Sequence, residues 1–433
     1  MGFSEIMKHP ISYLYNTVFI PNKSIQICIV GGGFGGLFTA LYLSNYTHFV
    51  KNFRPRIILV DQKEHFLFTP LLYELLTQEV KSWEITPTFE KLLANTAVEF
   101  CHDTVEAVDL EQRQIKLRSH KQITYDHLVL AVGQQTRLDT ISGVADYAYA
   151  FRSLADAERL MQKLQFLETD SEKYIQVAVV GAGGNGVELA CKLANRLRNR
   201  GQVYLIDRRQ KILRDFSFAC QKAAHRALIA CGVKLDLGTQ IKNVEANQIT
   251  LIKNQQTYTL AVDLIIWTIG TQNWEWLNNL NCQQSPQGKL LVRPTLQLLD
   301  YPEVFAIGDI AAIRYPDKQK VPATAQAALQ QARTAANNLR ASLTGQPLKV
   351  FRYHHLGEMM TLGINAGVVF CCGICLEGSM AYTLRRWACV LRLPTFTHRL
   401  RVCRYLLSGA FQKYFFKRRG AQNQRRGSQS FSD

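Results

Sequence analysis

The chain has 433 residues, of which 47% are hydrophobic and 20% are charged, so its composition is that of a globular protein with room for two or three domains. No segment is long and apolar enough to read as a transmembrane helix, and residues 1–24 lack the pattern of a signal peptide. The eleven cysteines follow no zinc-binding spacing, so we expect no metal site, and their scatter fits a reducing compartment.

The formal net charge of +17 is concentrated near the C-terminus. From Ser379 onward there are twelve Lys and Arg residues and one acid, Asp433, which accounts for eleven of the seventeen net charges. A basic segment of this kind indicates nucleic acid or an anionic membrane surface as a partner, or simply a solvated face.

Residues 25–60 read as a strand, a glycine turn, a helix from about Gly35 to Asn45, and a second strand from Arg54 to Val60. The turn has the pattern GxGxxG, and Asp61 ends the second strand. In such a unit the glycine backbone approaches a pyrophosphate at the helix N-terminus, and the acid takes a ribose hydroxyl. The alternative is a domain with this fold whose dinucleotide site is degenerate or empty. The residues assigned to the first cofactor are Gly31, Gly33, Phe34, Gly35, Gly36 and Asp61.

The same order recurs about 150 residues later, because residues 174–207 repeat strand, glycine turn, helix and strand, and end in Asp207. Each copy is followed by a buried strand that ends in glycine, at 124–133 and at 263–270. Two complete copies imply two dinucleotides on one protein, and the economical reason to hold two is hydride transfer from a nicotinamide to a flavin. The residues assigned to cofactors in this second group are Gly133, Gly181, Gly183, Asn185, Gly186, Asp207, Arg208 and Gly270.

Two features of the second copy concern the nicotinamide. Glu188 is expected in the first turn of the helix, where it either caps backbone N–H groups or faces the flavin and nicotinamide and tunes proton transfer. Asp207 favours the free ribose hydroxyls of NADH, whereas Arg208 and Arg209 can accept the 2′-phosphate of NADPH. The combination of one acid and two arginines predicts no strict selectivity between NADH and NADPH.

The chain then returns to the first unit. Residues 304–309 read as a strand that ends in Gly308 and Asp309, and this acid either hydrogen-bonds the ribityl chain of a flavin or caps the next helix. Gln326 to Leu343 is predicted to be a helix, and 345–380 a small antiparallel sheet.

The sequence therefore predicts an α/β fold of two Rossmann-like dinucleotide-binding domains, the second inserted in the first, plus a C-terminal membrane-associating region. The predicted parts are an N-terminal extension (1–24), an FAD-binding domain in two parts (25–150 and 291–345), an NAD(P)H-binding domain (151–290), a C-terminal sheet and amphipathic basic helix (346–418), and a disordered tail (419–433).

From Pro394 onward apolar residues recur at steps of three and four, as on one face of a helix, with basic residues around them. Residues 394–418 are therefore predicted to lie on an anionic membrane surface, with packing on the flavin domain as the alternative. We expect a peripheral membrane protein on the cytoplasmic or stromal-equivalent face and no nucleic-acid partner, and a homodimer is left open. The apolar residues of this stripe are Phe396, Leu400, Cys403, Leu407, Phe411 and Tyr414.

From about residue 25 to 410 the chain resembles the type II NAD(P)H:quinone oxidoreductases, single-chain flavoproteins with two dinucleotide folds. The matching segments are Phe68-Thr-Pro-Leu-Leu-Tyr73, Gly181-Ala-Gly-Gly-Asn-Gly-Val-Glu188, Phe305-Ala-Ile-Gly-Asp309 and Ala325-Gln-Ala-Ala-Leu-Gln330. The resemblance implies that the Gly-Asp segment holds non-covalent FAD, with NADH or NADPH as the substrate. It also implies that Ala325, Gln326 and Gln330 lie where FAD meets a quinone, and that Glu188 lies near the contact of nicotinamide and flavin. Without the resemblance, Gln326 and Gln330 would be interpreted as polar positions of a helix with no role in binding.

Further segments are similar to the cyanobacterial and plastid branch of that family, among them 72–76, 83–85 and 356–363. That branch implies reduction of demethylphylloquinone or a related prenyl-naphthoquinone. One departure is Asn185, where many members have Thr, and it leaves the fine geometry of the nicotinamide open.

Two other functions compete with this interpretation. A flavin disulfide reductase or a sulfide:quinone reductase needs a cysteine pair beside the flavin ring, and residues 61–80 contain no cysteine. The one CxxC motif, Cys372 to Cys375, is interpreted as buried strand thiols, with a redox pair as the alternative. A non-enzymatic flavoprotein could instead sense NADH and bind nucleic acid through its basic tail, and rapid turnover with a quinone would exclude it.

Overall fold

The computed structural model describes residues 25–47, 55–315 and 320–408. The first unit is a five-stranded parallel sheet in which the first described strand, Gln26–Val30, lies at the centre. Hydrogen bonds from Thr39 and Tyr46 join its first helix, Phe34–Thr47, to the helix Ala325–Leu343. In spatial order the strands are Val304–Ala306, His127–Leu130, Gln26–Val30, Arg56–Asp61 and Val98–His102.

The second unit repeats this architecture with a second five-stranded parallel sheet. All its strands come from residues 148–267, between the fourth and fifth strands that the chain contributes to the first sheet. In spatial order they are Lys234–Leu237, Gly201–Asp207, Ile175–Val180, Leu264–Trp267 and Ala148–Ala150. Its helices are Leu154–Glu168, Gly184–Leu197 and Phe218–Ala230. The predicted fold class, two Rossmann-like units with the second inserted in the first, is confirmed, while the domain boundaries stay predictions.

Each unit also carries a three-stranded antiparallel sheet directly before the buried strand that leads to Gly133 or Gly270, and the sequence did not predict either small sheet. The strands are Val105–Asp109, Gln114–Leu117 and Gln122–Thr124 in the first unit, and Gln240–Glu245, Gln248–Lys253 and Gln256–Ala261 in the second. Two short ladders pair Gln135–Thr136 with Thr271–Gln272, and Leu290–Val292 with Ala311–Ile313. Short helical segments are Thr69–Leu75, Ser82–Ile85, Phe89–Leu93, Val144–Tyr147, Arg198–Arg200, Glu275–Asn278 and Gly308–Ile310.

After the helix Ala325–Leu343 the chain forms a small antiparallel sheet and two helices. The strands are Glu358–Thr361, Gly367–Cys371 and Ile374–Glu377, followed by the helix Gly378–Leu391 and a helix over 396–408. The interpretation of the CxxC thiols as buried is wrong for Cys372, because it lies exposed in the hairpin turn at φ 52°.

The central strands of both sheets are continuous buried apolar runs, as expected where helices cover both faces of a parallel sheet. Their carboxyl ends therefore point to one edge in each unit, and the glycine loops follow there. Among the described residues no helix combines the length and apolar character needed to cross a membrane. The predicted disordered tail and the outer part of the predicted membrane helix, from 409 onward, lie outside the described residues, as does the N-terminal extension.

Candidate active site

The two glycine loops have the same geometry. Gly31 and Gly181 have φ values of 98° and 109°, which other residues rarely adopt. A Cβ atom at Gly36 would lie 1.8 Å from the carbonyl oxygen of Gly31, and one at Gly186 would lie 1.7 Å from that of Gly181. Each helix can therefore pack this closely on its own turn only because glycine stands at that position.

The middle glycine of each loop faces open space. A Cβ atom at Gly33 or Gly183 would meet no atom within 4 Å. These two positions leave room where the backbone at a helix N-terminus can approach a phosphate, so both loops fit a dinucleotide pyrophosphate.

The acid at the end of each second strand supports its own loop. Asp61 accepts hydrogen bonds from the backbone N–H of Gly32 and Lys63. Asp207 accepts from Ala182 at 2.7 Å and from Arg209 at 2.8 Å in the same pattern. Each carboxylate keeps lone pairs for a ribose hydroxyl, since two oxygens offer about four acceptor sites.

The buried strands that follow each loop also end alike, because Gly133 and Gly270 have φ values of 62° and 77°. Gly31 and Asp61 line a cleft with Val132 and Trp274, beyond the carboxyl ends of the strands in the first unit. Ligands of open α/β sheets bind at such an edge.

The Gly-Asp segment lies against the N-terminal half of the helix Ala325–Leu343. The backbone N–H of Gly308, which has a φ of 76°, donates to Oε1 of Gln331. Asp309 forms an ion pair with Arg152, whose Nη2 atom is 2.7 Å from Oδ2. The structure thus gives the Asp309 carboxylate a cationic partner that the sequence analysis did not anticipate, at the point where the chain enters the first helix of the second unit.

Glu188 lies at the start of the second turn of the helix Gly184–Leu197, one residue further along than the predicted first turn. Its carboxylate does not cap that helix; it accepts from the backbone N–H of Thr361 at 2.8 Å and lies 3.2 Å from the guanidinium of Arg385. Arg385 also pairs with the fully buried Glu74. Burial raises the pKa of Glu188 to about 7, against the opposing effect of Arg385, so this acid can change protonation near neutral pH.

Asn185 makes a direct contact between the two units. Its Oδ1 atom accepts a hydrogen bond of 2.8 Å from the hydroxyl of Tyr73, which belongs to the segment Thr69–Leu75 of the first unit. Burial raises the pKa of Tyr73 well above its usual value, so the phenol keeps its proton. The second glycine loop is thereby held against the first unit.

Gln326 and Gln330 both bind the segment that precedes the small C-terminal sheet. The hydroxyl of Tyr353 donates to Oε1 of Gln326. The amide of Gln330 donates to the carbonyl of His354 at 2.8 Å and accepts from its N–H at 2.9 Å. Gln330 therefore positions this segment, whereas Gln326 accepts a hydrogen bond from a tyrosine hydroxyl that the segment carries. Ala325 is the first residue of their helix, and Thr324 caps it through a bond to the N–H of Ala327.

The remaining assigned residues are Phe34, Gly35 and Arg208, and each lies in a different place. Phe34 lies in an aromatic cluster, with ring centroids 5.1 Å from Phe66 and 5.5 Å from Phe68. Gly35 packs on Ile307, and Arg208 is exposed beside Asp207. Sequence reasoning missed Glu74, Arg152 and Arg385, because their partners lie more than 150 residues away in the chain.

Two Rossmann-like units with complete glycine loops, placed so that the second loop meets the first unit, define the class of two-dinucleotide oxidoreductases. The chain belongs to the pyridine nucleotide-disulphide oxidoreductase family, whose model matches residues 25–332.

Two relatives and one solved structure bear on the resemblance. Demethylphylloquinone reductase NdbB of Synechocystis sp. is 40% identical over 381 residues, which cover 87% of this chain and 94% of that protein. Alternative NAD(P)H-ubiquinone oxidoreductase C1 of Arabidopsis thaliana is 35% identical over 418 residues, which cover 88% of this chain and 80% of that protein. The structure of NDH2 from Plasmodium falciparum in complex with NADH has a TM-score of 0.77 and 18% identity, covering 87% of this chain and 96% of that one. The predicted resemblance to the type II NAD(P)H:quinone oxidoreductases is confirmed, and the last comparison shows the fold.

Proposed function

We propose that this protein oxidises NADH or NADPH through non-covalent FAD and passes two electrons to a membrane quinone, a prenyl-naphthoquinone such as demethylphylloquinone. The observation that carries the proposal is the contact between the second glycine loop and the first unit, where Tyr73, Asn185 and the titratable Glu188 meet. The demethylphylloquinone reductase and the ubiquinone oxidoreductase among the relatives support the quinone.

Bound FAD supplies a two-electron carrier that takes hydride from a nicotinamide. The first loop binds its pyrophosphate around Gly33, with Asp61 on the adenosine ribose, and Asp309 binds the ribityl chain. The second loop binds NAD(P)H around Gly183, with Asp207 on the ribose. Glu188 holds or releases a proton at its carboxylate beside this contact.

The decisive measurement is a steady-state assay of purified protein with both nicotinamides against a panel of quinones. We expect a yellow protein that releases free FAD on denaturation and turns over with naphthoquinones. A colourless protein that cannot be reconstituted with FAD would overturn the proposal. Asp309→Ala should lose flavin first, because its carboxylate contact with the ribityl chain disappears.

The role of Glu188 can be separated from the binding of FAD. Glu188→Gln keeps the hydrogen bond to Thr361 but cannot ionise, so FAD content should stay constant while reduction by NADH slows and loses its pH dependence near 7. Unchanged stopped-flow reduction across that pH range would leave Glu188 only a structural partner of Thr361.

The quinone half-reaction is assigned to the helix Ala325–Leu343. Gln326→Ala and Gln330→Ala should leave flavin reduction by NADH intact and raise the apparent KM for quinone. Because Gln330 holds the backbone of His354, its variant acts by moving the segment that carries Tyr353. Equal losses in both half-reactions would mean that the helix is structural.

Both nicotinamides should be used. Replacing Arg208 and Arg209 with Ala should weaken NADPH selectively, since a charge-assisted contact to the 2′-phosphate is lost. Asp207→Ala should strengthen the binding of NADPH, because it removes the repulsion between this carboxylate and the 2′-phosphate. An equal loss of NADH affinity in the arginine variant would show that these side chains only face solvent.

The membrane surface is assigned to two helices. On the helix over 396–408, Phe396, Leu400 and Leu407 are 76%, 40% and 60% exposed. The opposite face docks on the first unit through buried Val402 and His398, whose Nε2 atom lies 2.8 Å from the carbonyl oxygen of Glu84. The helix Gly378–Leu391 adds a second exposed stripe upstream of the predicted region, made of Met380, Leu384, Trp387 and Leu391.

Exposed apolar stripes flanked by arginines fit the interface of an anionic bilayer, where each Lys or Arg near the surface contributes ~1 kcal/mol. Replacing Phe396, Leu400 and Leu407 by Ser should abolish flotation with anionic vesicles and retain FAD. Phe166→Ser is the control, because that side chain is 68% exposed on a helix of the second unit. Flotation that is unchanged in the triple variant would show that the helix over 396–408 is not the anchor. The homodimer stays a hypothesis that sedimentation of the detergent-free protein tests.

A further inference from the structure

Reduction of a quinone by NAD(P)H needs one proton that the nicotinamide does not supply. The balanced reaction takes NAD(P)H, one H⁺ and the quinone to NAD(P)⁺ and the quinol. The hydride equivalent carries two electrons and one proton, so the second proton must come from solvent. On the proposed function, the protein therefore needs a route from water to the quinone beside Gln326.

A hydrogen-bonded row of side chains leads from Gln326 to the surface. The hydroxyl of Tyr353 donates to Oε1 of Gln326, and its oxygen lies 3.3 Å from Nδ1 of His355. Nε2 of His355 is 3.9 Å from Oε1 of Glu358. Tyr353 is half-buried, whereas the side chain of His355 is 54% exposed to solvent.

The groups around this row fix its geometry and its protonation. Burial raises the pKa of Tyr353, so its phenol keeps its proton at neutral pH until a quinone is reduced beside it. The carboxylate of Glu358 is fixed by Ser217, which donates its backbone N–H at 3.0 Å and its hydroxyl at 2.7 Å. His355 thus faces a phenol on one side and a fixed carboxylate on the other. The other titratable groups next to Glu358 are the thiols of Cys220 and Cys375.

We propose that Tyr353 is the proton donor to the quinone, and that His355 and Glu358 return a proton to it from solvent. The phenol O–H bond breaks as its proton passes to a quinone oxygen. His355, with a proton on each ring nitrogen, then passes the Nδ1 proton to the phenolate and becomes neutral, and a proton from water restores Nδ1–H while Nε2–H stays on the side of Glu358. No electrons pass through these side chains, since both come from NAD(P)H.

The test compares two acceptors on the full-length holoenzyme. Tyr353→Phe should lower kcat with a soluble naphthoquinone roughly 10²- to 10⁴-fold, the usual contribution of a positioned acid. Reduction of ferricyanide, which takes up single electrons and no proton, should be unchanged. His355→Gln should also lower kcat with the naphthoquinone and leave ferricyanide reduction unchanged, because the side chain that returns a proton to Tyr353 is lost. The solvent deuterium isotope effect on quinone turnover should change in both variants.

Tyr315→Phe is the matched control. Its hydroxyl bonds the carbonyl of Phe351 at 2.7 Å, so this variant loosens the same segment without touching Gln326. If Tyr315→Phe slows quinone turnover as much as Tyr353→Phe does, or if Tyr353→Phe keeps full quinone turnover, the relay is overturned and the proposed function stands. A wild-type protein that reduces ferricyanide but no quinone overturns both.

Discussion

The same backbone arrangement serves both dinucleotides at the level of single residues. In each loop the first glycine takes a positive φ, the last glycine admits a carbonyl oxygen at under 2 Å from where a Cβ would lie, and the middle one borders open space. An aspartate then fixes each loop through two backbone N–H groups. The fold therefore requires the first and last glycines of each loop, whereas the ligand requires the middle glycine.

That difference can be measured in the second loop. Gly183→Ala places a methyl group in open space, so the thermal midpoint should not change, but the group occupies the position of a phosphate. Overpacking costs about 1–3 kcal/mol, so the affinity for NADH should fall roughly 10- to 100-fold. Gly186→Ala instead collides with the carbonyl of Gly181 and should lower both the thermal midpoint and NADH binding. Calorimetry and NADH titration of both variants check this, and equal thermal losses would contradict it.

Glu188 should also make stability depend on pH. The unfolded carboxyl ionises near 4.5, whereas burial raises the pKa of the folded group to about 7. The folded state therefore holds the proton more tightly, and this stabilisation is complete below 4.5 and lost as the pH rises to about 7. At 1.36 kcal/mol per pKa unit the loss is about 3 kcal/mol. Chemical denaturation at pH 5 and 7.5 should show most of this loss in the wild type and not in Glu188→Gln. A wild type whose stability changes no more than that of the variant over the interval would show that Glu188 is already ionised at pH 5.

Local patterns predicted the elements, and distant partners escaped prediction. The helix expected from Gly35 to Asn45 is Phe34–Thr47, and the one expected from Gln326 to Leu343 is Ala325–Leu343, because glycine turns and helical spacing are local signals. The helix Gly378–Leu391 was missed, although its apolar residues recur at steps of four and three like those used after Pro394. Arg385 was not predicted as a site residue, because its partner Glu74 is 311 residues away and no spacing rule connects the two positions.

The helix Gly378–Leu391 docks through buried ion pairs, and one of them offers a test. Arg386 pairs with Glu84, and both side chains are buried. Arg386→Met leaves an uncompensated carboxylate and should lower the free energy of unfolding by roughly 3–5 kcal/mol. Adding Glu84→Gln removes that charge while keeping an acceptor for the N–H of Lys81, and should recover most of the loss.

The matched control for that pair lies on the surface. Arg56 and Glu99 form an ion pair of 2.7 Å whose side chains are about half exposed. Arg56→Met should therefore cost about 1 kcal/mol or less in the same denaturation experiment. Similar losses for the two arginines would mean that the helix does not depend on its buried charge.

At the scale of the whole molecule, the C-terminal segment holds the two dinucleotide units together. Arg385 reaches Glu74 of the first unit and Glu188 of the second. The strand that carries Thr361 and Glu358 binds Glu188 and Ser217 of the second unit, while Lys192 of that unit pairs with Glu79 of the first. The relative position of the two glycine loops, on which hydride transfer depends, is thus set by contacts that no single unit contains.

The hydrogen bond between Tyr73 and Asn185 is the most direct of these contacts. A carboxamide oxygen can accept from the phenol of Tyr73 at 2.8 Å across the boundary between the units. Tyr73→Phe removes one buried hydrogen bond and leaves the Asn185 oxygen without its partner, at a cost of about 1–3 kcal/mol. Since the contact positions the second loop and makes no bond to the first, FAD content should be unchanged while the rate of flavin reduction by NADH falls roughly 10-fold. Asn185→Ala should reproduce this rate, and the double variant should be no slower than either single one, because both remove the same bond. Stopped-flow reduction of the three variants checks the cycle, and additive losses would show that the two residues act separately.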